Sequence, residues 1–237
     1  FYLSNYIVSK KKYNYFIIIP IYNEYDYILH TLDSINKNPT AYLKNLLVIL
    51  VINNSIKDNK KIVNNNYRTH QLINNQQYKY EKLVIDCYSK GNELEEKQAG
   101  VGSARKIGMD YAVQFSAPQS LFCSLDADTL ISKQYLNTVV EKFKKHKMHA
   151  CVVNFNHQNS QNNFIEKAIR IYEKKIKIIA NKIKNSGSPY GYVSMGSAMV
   201  CTASAYISVG GMSKRKATED FYFLQALAKY SAIYQIN

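Results

Sequence analysis

Short, wholly apolar runs alternate with amphipathic stretches along this chain. The apolar runs are typical of strands buried on both faces, and they predict strands over residues 15–20, 46–52, 82–87, 121–125 and 150–155. Apolar residues at helical spacing predict helices over residues 26–36, 101–115 and 132–146. Because strands alternate with helices, we expect an α/β fold with a mostly parallel central sheet flanked by helices.

Polar clusters stand directly after several of the predicted strands, where sheets of this kind bind their ligands. The first strand is followed by PIYNE at 20–24, the second by Asn53-Asn54-Ser55, and the fourth by Asp126-Ala127-Asp128. A further cluster, Thr218-Glu219-Asp220, precedes the apolar run 221–227. Each cluster taken alone is also typical of a turn or a helix cap.

Five motifs in this order resemble those of the family 2 glycosyltransferases of the GT-A fold. They are PIYNE (20–24), GVGSARKIG (100–108), LDADT (125–129), the Gly-rich stretch 196–212 and TEDFYFL (218–224). The resemblance covers about residues 15–230 and implies one Rossmann-like GT-A domain over 1–237. Its nucleotide-binding half spans about 13–130 and its acceptor-side half about 131–237. Many relatives continue with another strand and acceptor-side elements, so we expect this chain to be truncated at its C-terminus.

The resemblance also implies the chemistry, which is transfer of a sugar from a nucleotide-diphosphate sugar to an acceptor hydroxyl. Asp126 and Asp128 are the implied ligands of Mn²⁺ or Mg²⁺, ions that bind hard oxygen ligands, and Asp126 also lies near the ribose. Asp220 is the implied general base of an inverting displacement, and the neighbouring Glu219 is the second candidate.

The donor is expected to contact both the first turn and the Gly-rich helix. Pro20, Tyr22, Asn23 and Glu24 are expected to support the base and ribose. Arg105 is expected to reach a phosphate or the base, and the alternative for it is a surface salt bridge.

Asn53 and Asn54 replace an aspartate that reads uracil in many relatives. Since an amide both donates and accepts hydrogen bonds, we expect these two side chains to contact the base. UDP, GDP and dTDP donors all remain open.

The acceptor is expected to be a glycan or a lipid-linked molecule. Tyr190, Tyr192, Gly196 and Ser197 are candidates for the acceptor side, with ordinary packing as the alternative for the two tyrosines. Before them, residues 164–184 form an amphipathic helix rich in lysine. One interpretation is peripheral contact with an anionic membrane, and the other is a core-packed helix with a solvated lysine face.

Composition leaves other classes of function open. With 31 Lys and Arg against 17 Asp and Glu, the net charge is +14, which favours anionic partners. A nucleotidyltransferase would need a Gly-rich loop after the first strand. A nucleic-acid-binding module would need its basic residues grouped with exposed aromatics, so no nucleic acid is expected.

The cysteines, histidines and hydropathy add expectations about location and metal binding. No apolar run approaches the roughly 20 residues that span a bilayer. The four well-separated cysteines are expected to be reduced and buried, which suits a cytoplasmic location. If the helix at 164–184 binds lipid, the expected location is the inner face of the membrane. His146, His149 and His157 lack metal-ligand spacing and are predicted to lie at the surface.

Overall fold

A seven-stranded sheet forms the centre of the computed structural model, which describes residues 11–213 and 218–237. The strands are β1 (Tyr13–Ile21), β2 (Leu46–Asn53), β3 (Glu81–Cys87), β4 (Ser116–Ser124), β5 (Ala150–Val153), β6 (Met199–Thr202) and β7 (Ile233–Ile236). Their order across the sheet is β3-β2-β1-β4-β6-β5-β7. The pairs β1/β2, β2/β3 and β1/β4 are parallel. Strand β6 is antiparallel to both β4 and β5, and β7 is parallel to β5. The predicted mostly parallel sheet is therefore confirmed.

Helices cover both faces of this sheet. They are α1 (Ile28–Asn36), α2 (Thr40–Leu43), α3 (Lys60–Asn74), α4 (Val101–Val113), α5 (Tyr135–His146), α6 (Asn163–Asn185), α7 (Ala203–Ser208) and α8 (Glu219–Tyr230), with a short 3-10 helix at Gly196–Ala198. Apolar residues of α1, α3 and α5 belong to the core on one face, and those of α4, α7 and α8 belong to the core on the other.

Strand β1 shows why the apolar runs predicted the sheet so well. Ile17 and Ile19 pack into one core while Phe16 and Ile18 pack into the other, so both faces of the strand are buried. Helix α4 lies close against this region. A Cβ atom added to Gly108 would come within 2.6 Å of Cγ2 of Ile18, so the packing requires glycine at this position.

The structure adds two strands that the hydrophobic pattern did not predict, β6 and β7. Strand β7 has four residues, of which only Ile236 is buried, so it carries little apolar signal. It follows α8 in the chain. All four cysteines are buried and free, as predicted. None of the helices in the described ranges has the length and hydropathy needed to cross a bilayer.

Candidate active site

A cavity of about 720 Å³ opens at the carboxyl ends of β1, β2 and β4, which are neighbours or near neighbours in the sheet. It brings together residues from all the predicted motifs, because the carboxyl ends of parallel strands meet at one edge. The predicted site residues that line it are Pro20, Tyr22, Glu24, Asn53, Asn54, Arg105, Asp126, Asp128, Gly196 and Asp220.

Arg105 links two of the motifs in the interior of the protein. Its side chain is 3% exposed, with Nη1 donating to Oε1 of Glu219 and Nη2 donating to Oδ1 of Asp126. The alternative of a surface salt bridge is therefore wrong. Since both terminal nitrogens hold protein carboxylates, Arg105 fixes the strand-end aspartate relative to the start of α8. We call Arg105, Asp126 and Glu219 the inner arginine cluster.

Gly196 completes the packing around this cluster. A Cβ atom at position 196 would overlap the guanidinium group of Arg105. Glycine is therefore required here by a close approach, and the Gly-rich stretch contributes to the site by making room for the arginine. The placement of Gly196 on the acceptor side stays a prediction.

The neighbouring carboxylates Glu219 and Asp220 lie in different surroundings. Glu219 is buried, and burial raises its pKa above the ordinary value, which the charge of Arg105 beside it only partly offsets. Asp220 is half-buried, lines the cavity, and accepts a hydrogen bond from the N–H of Phe221 at 2.7 Å through Oδ1. The start of α8 thus holds one acid that is used in an internal ion pair and one that faces the cavity.

Three further carboxylates stand along the cavity wall. Asp126 and Asp128 reach it from the end of β4, and Glu24 reaches it from the end of β1. Burial raises the pKa of Glu24, and the negative charges of Asp128 and Asp126 raise it further. A cation bound here would relieve this concentration of negative charge.

These carboxylates fit a divalent ion only in part. Within the described ranges, no group of three or more His, Cys, Asp or Glu side chains is arranged to hold a metal. Mg²⁺ in proteins is often held by one or two carboxylates together with water and substrate phosphates. Asp126 and Asp128 match that pattern, in which the ligand supplies the remaining oxygens.

The side chains of Asn53 and Asn54 are used within the protein. Nδ2 of Asn53 donates to the carbonyl of Ile21 at 3.0 Å, and Nδ2 of Asn54 donates to the carbonyl of Ser55 at 3.2 Å. Oδ1 of Asn54 also accepts from Nδ2 of Asn66 at 3.0 Å. Both residues nevertheless border the cavity, and their contact with a nucleotide base stays a prediction.

Asn23 shapes the turn after β1 and is not among the residues that line the cavity. Its φ of 62° lies in the left-handed region, which asparagine tolerates better than most residues. Its backbone N–H donates to Oδ1 of Asn66 at 3.0 Å. Asn23 thereby holds the turn after β1 against helix α3.

Some residues that line the cavity were not predicted. The hydroxyl of Tyr22 donates to Oδ1 of Asp58 at 3.0 Å, and the backbone N–H of Ser55 donates to Oδ2 of Asp58 at 2.7 Å. Lys57 and Glu96 form an ion pair of 2.6 Å and border the same cavity. Asp58 lies in the polar stretch after β2, and its nearness to a strand end was the signal that could have identified it.

A second cavity of about 800 Å³ shares Asp126, Asp128 and Met195 with the first. Ser197 lines this second cavity, whose wall also includes Phe155 and Ile165. The strand-end aspartates thus border both cavities.

The two tyrosines predicted on the acceptor side border neither cavity. Tyr192 is buried in the core, and burial raises its pKa to about 12. Tyr190 is half-buried and packs against the same core. Both tyrosines therefore fit the alternative of ordinary packing.

Helix α6 corrects another expectation, because several of its charged side chains contact the body of the protein. Arg170 donates to Glu166 at 2.6 Å and to the buried Glu173 at 2.8 Å, and the ring of His157 lies 2.9 Å from Glu173. We call these four residues the outer arginine cluster. The apolar residues of α6 are largely exposed, so the core-packed interpretation is wrong. His146 is exposed as predicted, whereas His149 and His157 are half-buried.

A family model matches most of this chain. The model of the family described as "Glycosyl transferase family 2" matches residues 16–204. No curated protein sequence matches the chain significantly.

Several solved structures share the fold at low sequence identity. S. aureus TarS 1–349 in complex with UDP-GlcNAc is 16% identical with a TM-score of 0.61, and the match covers 94% of this chain and 56% of that one. The mannosyltransferase PcManGT from Pyrobaculum calidifontis, in complex with GDP-Man and Mn²⁺, is 14% identical with a TM-score of 0.57, over 99% and 58% of the two chains. Glucosyl-3-phosphoglycerate synthase from Mycobacterium tuberculosis, in complex with UDP, is 9% identical with a TM-score of 0.58, over 95% and 70%. The chain thus spans a little over half the length of the first two.

Proposed function

The chain belongs to glycosyl transferase family 2, and on this premise we propose that it transfers a sugar from a nucleotide-diphosphate sugar to an acceptor hydroxyl. The GT-A fold predicted from the motifs is confirmed by this family and by the likeness to the solved structures. The observation that carries the proposal is the first cavity. Asp220, far along the chain, lines the same cavity as Asp128 and the turn after β1.

We propose that the first cavity binds the donor. Its volume of about 720 Å³ lies within the range of about 300–1,000 Å³ that small-molecule sites occupy. Pro20, Tyr22 and Glu24 form one wall, and the start of α4 forms another. In this proposal the half of the chain over about 13–130 supplies most donor contacts, and the half over about 131–237 supplies Gly196 and Asp220. The proposal includes UDP-, GDP- and dTDP-linked donors alike.

We further propose that Asp128 and Asp126 hold a divalent cation together with the donor's phosphate oxygens. Two of the similar structures are described with Mn²⁺ bound, the mannosyltransferase and the glucosyl-3-phosphoglycerate synthase. When bound, such an ion supplies positive charge to the leaving diphosphate. Arg105 acts on this site as a positioning residue, because its bond to Asp126 fixes that side chain.

Asp220 is the proposed general base. It faces the cavity, whereas Glu219 is buried and bonded to Arg105, so Asp220 has the better access to an acceptor hydroxyl. A base that takes the proton from the attacking hydroxyl supports a single displacement, which inverts the anomeric centre. NMR of the product's anomeric configuration tests this step, and net retention would contradict it. The acceptor, a glycan or a lipid-linked molecule, would enter through the second cavity.

The proposal is tested first by thermal unfolding with UDP, GDP, dTDP and CMP, each with and without Mn²⁺. A ligand that binds the folded state raises the melting temperature. We expect one nucleoside diphosphate to do so, with a larger shift when Mn²⁺ is present. Asp128→Asn should remove the Mn²⁺-dependent part, whereas Asp33→Asn, an exposed aspartate on α1, should not. Absence of a shift with every nucleotide would contradict donor binding.

The role of Asp220 needs a separate measurement. Asp220→Asn should leave the nucleotide-induced shift unchanged and lower turnover of the bound donor by about 10²–10⁴-fold. Glu219→Gln would lower stability as well as turnover, because it alters an internal ion pair. A fully active Asp220→Asn variant would reject the assignment.

A further inference from the structure

Helix α6 carries an apolar surface on the side that faces away from the protein. We define this outward stripe as Phe164, Ile165, Ile171, Tyr172, Ile178, Ile179 and Ile183, all of which are exposed. Phe164 is 81% exposed and Ile171 is 69% exposed. Over the whole described chain 18 large apolar side chains are exposed, and seven of them lie in this one helix. Such a concentration marks an interaction surface more than scattered surface residues do.

The spacing of these residues makes them one continuous surface. Phe164, Ile171 and Ile178 are seven residues apart, which places them almost in line along an α-helix. Ile165, Tyr172 and Ile179 form a second line beside the first. Lys175 and Lys182 are separated from Phe164 by close to a whole number of helical turns, so they lie on the same side of the helix. Two exposed cations therefore stand within the apolar surface.

The opposite side of α6 carries charged side chains that already have partners in the protein, together with the buried Ala180. Glu173, the buried residue of the outer arginine cluster, is bonded to Arg170 and His157. Lys177 donates from Nζ to the carbonyl of Phe155 at 3.1 Å. These contacts hold the helix to the protein, so the outward stripe faces away from it.

We propose that the outward stripe docks on the surface of an anionic lipid bilayer. The helix has seven Lys and Arg against two Glu, and both glutamates are bonded to Arg170. An apolar stripe flanked by unneutralised lysines matches both the acyl boundary and the anionic headgroups of such a membrane.

A second copy of the chain fits this surface less well. Symmetric pairing of the stripe would bring two helices of the same positive charge together, and the whole chain carries +14. A bilayer supplies the opposite charge. Ile165 belongs both to the stripe and to the wall of the second cavity, so a membrane bound along α6 reaches the edge of that cavity.

Flotation of the full chain with lipid vesicles tests the inference. We expect the chain to bind vesicles of phosphatidylcholine with phosphatidylglycerol and to bind phosphatidylcholine alone far more weakly. Raising the salt concentration should weaken the binding, because headgroup attraction is screened. The double variant Ile171→Ser/Ile178→Ser should lower the partition coefficient by at least about tenfold. The double variant Lys175→Gln/Lys182→Gln should lower it by about tenfold or more on the anionic vesicles only.

Matched controls come from exposed positions on other helices. Ile207→Ser removes an isoleucine that is 56% exposed on α7, and Lys142→Gln/Lys145→Gln removes two exposed charges from α5. Both controls should bind vesicles like the unmodified chain. Unchanged thermal unfolding of every variant verifies that folding is intact, since all the substituted side chains are exposed.

Three outcomes would overturn the inference. They are no binding to anionic vesicles at low salt, equal binding by the stripe variants, and equal loss in the α5 or α7 controls. Concentration-dependent self-association that the stripe variants abolish, without vesicle binding, would assign the surface to a second copy instead. Failure here is separable from failure of the proposed function, because the nucleotide-induced shift in melting temperature does not depend on lipid.

Discussion

The inner and outer arginine clusters use the same chemistry in different places. Arg105 and Arg170 each bind two carboxylates, one of which is buried in each case. Arg105 is 3% exposed at the end of the sheet, whereas Arg170 is 34% exposed on α6. A buried charge that loses its partner is costly, whereas an exposed pair is screened by water and salt. We therefore expect the inner cluster to hold the site together and the outer cluster mainly to orient one helix.

The largest expected effect is that of removing the inner cation. Arg105→Met leaves Glu219 buried without its cation and leaves Asp126 without its anchor. We expect the free energy of unfolding to fall by about 3–5 kcal/mol, as measured by urea denaturation. Nucleotide binding should weaken as well, since Asp126 lines the donor cavity. A variant as stable as the parent chain would show that the cluster is not held as the structure indicates.

The next effect concerns the glycine beside that cation. Gly196→Ala introduces a methyl group that overlaps the guanidinium of Arg105, so the unfolding free energy should fall by about 1–3 kcal/mol. In an Arg105→Met background the same change should cost much less, because the rigid group is gone. A double-mutant cycle measures this coupling. Additive effects of the two substitutions would reject the close approach as the cause.

A smaller effect is expected at the outer cluster. Arg170→Met should destabilise the protein less than Arg105→Met, and the loss should shrink as salt is raised towards about 1 M, where the screening length is about 3 Å. The loss in Arg105→Met should change little over the same range. Urea denaturation of both variants at low and high salt makes the comparison. Equal salt sensitivity would show that the two clusters do not differ in exposure as described.

The smallest expected effect comes from the pKa shifts of the buried glutamates, which have opposite directions in the two clusters. Burial raises the pKa of Glu219 above 4.5 despite the neighbouring Arg105, with Asp220 adding to the rise. Burial would also raise the pKa of Glu173, but hydrogen bonds from the backbone N–H and ring of His157 and from Arg170 lower it to about 2. Ionisation in the folded state is thus disfavoured for Glu219 and favoured for Glu173.

These shifts predict opposite dependences of stability on pH. The Glu219 contribution is present at low pH and is lost as pH rises from 4.5 through its raised pKa. The Glu173 contribution is present above 4.5 and is lost as pH falls towards 2. The test compares the unfolding free energies of Glu219→Gln and of Glu173→Gln with that of the parent chain as the pH is varied. The difference for each variant reports the contribution of the glutamate that it replaces. If the stability differences of the two variants changed with pH in the same direction, the opposite pKa shifts assigned to Glu219 and Glu173 would be contradicted.

Much of the fold could be predicted because the central strands are apolar on both faces. Strands β1 and β2 consist almost entirely of buried residues, so their sequences differ clearly from everything around them. Strand β7 is short and mostly exposed, and β6 lies within a Gly-rich segment, so neither gave such a contrast. The predicted motifs at the ends of β1 and β4 do line one cavity, since parallel strands bring their ends together.

Other features depend on contacts that periodicity does not reveal. A helical repeat shows which residues share a face, but not which face turns inward. In α6 the inward face includes the charged residues Glu173 and Lys177, because they have partners in the segment after β5. The partners of Arg105 likewise come from two distant segments. The hydrogen bonds that the side chains of Asn53 and Asn54 donate to neighbouring carbonyls also could not be predicted from their position after a strand.

The buried cysteines have a practical consequence for chemical labelling. Burial raises the pKa of Cys87 and of Cys123 to about 12, and it raises those of Cys151 and Cys201 as well. The nucleophilic thiolate is therefore almost absent at neutral pH, and all four sulfur atoms lie out of reach of a reagent. A single Ile171→Cys substitution would then be the site where a maleimide fluorophore attaches to the folded chain. An environment-sensitive dye at that position would report contact with lipid directly, without first removing any native cysteine.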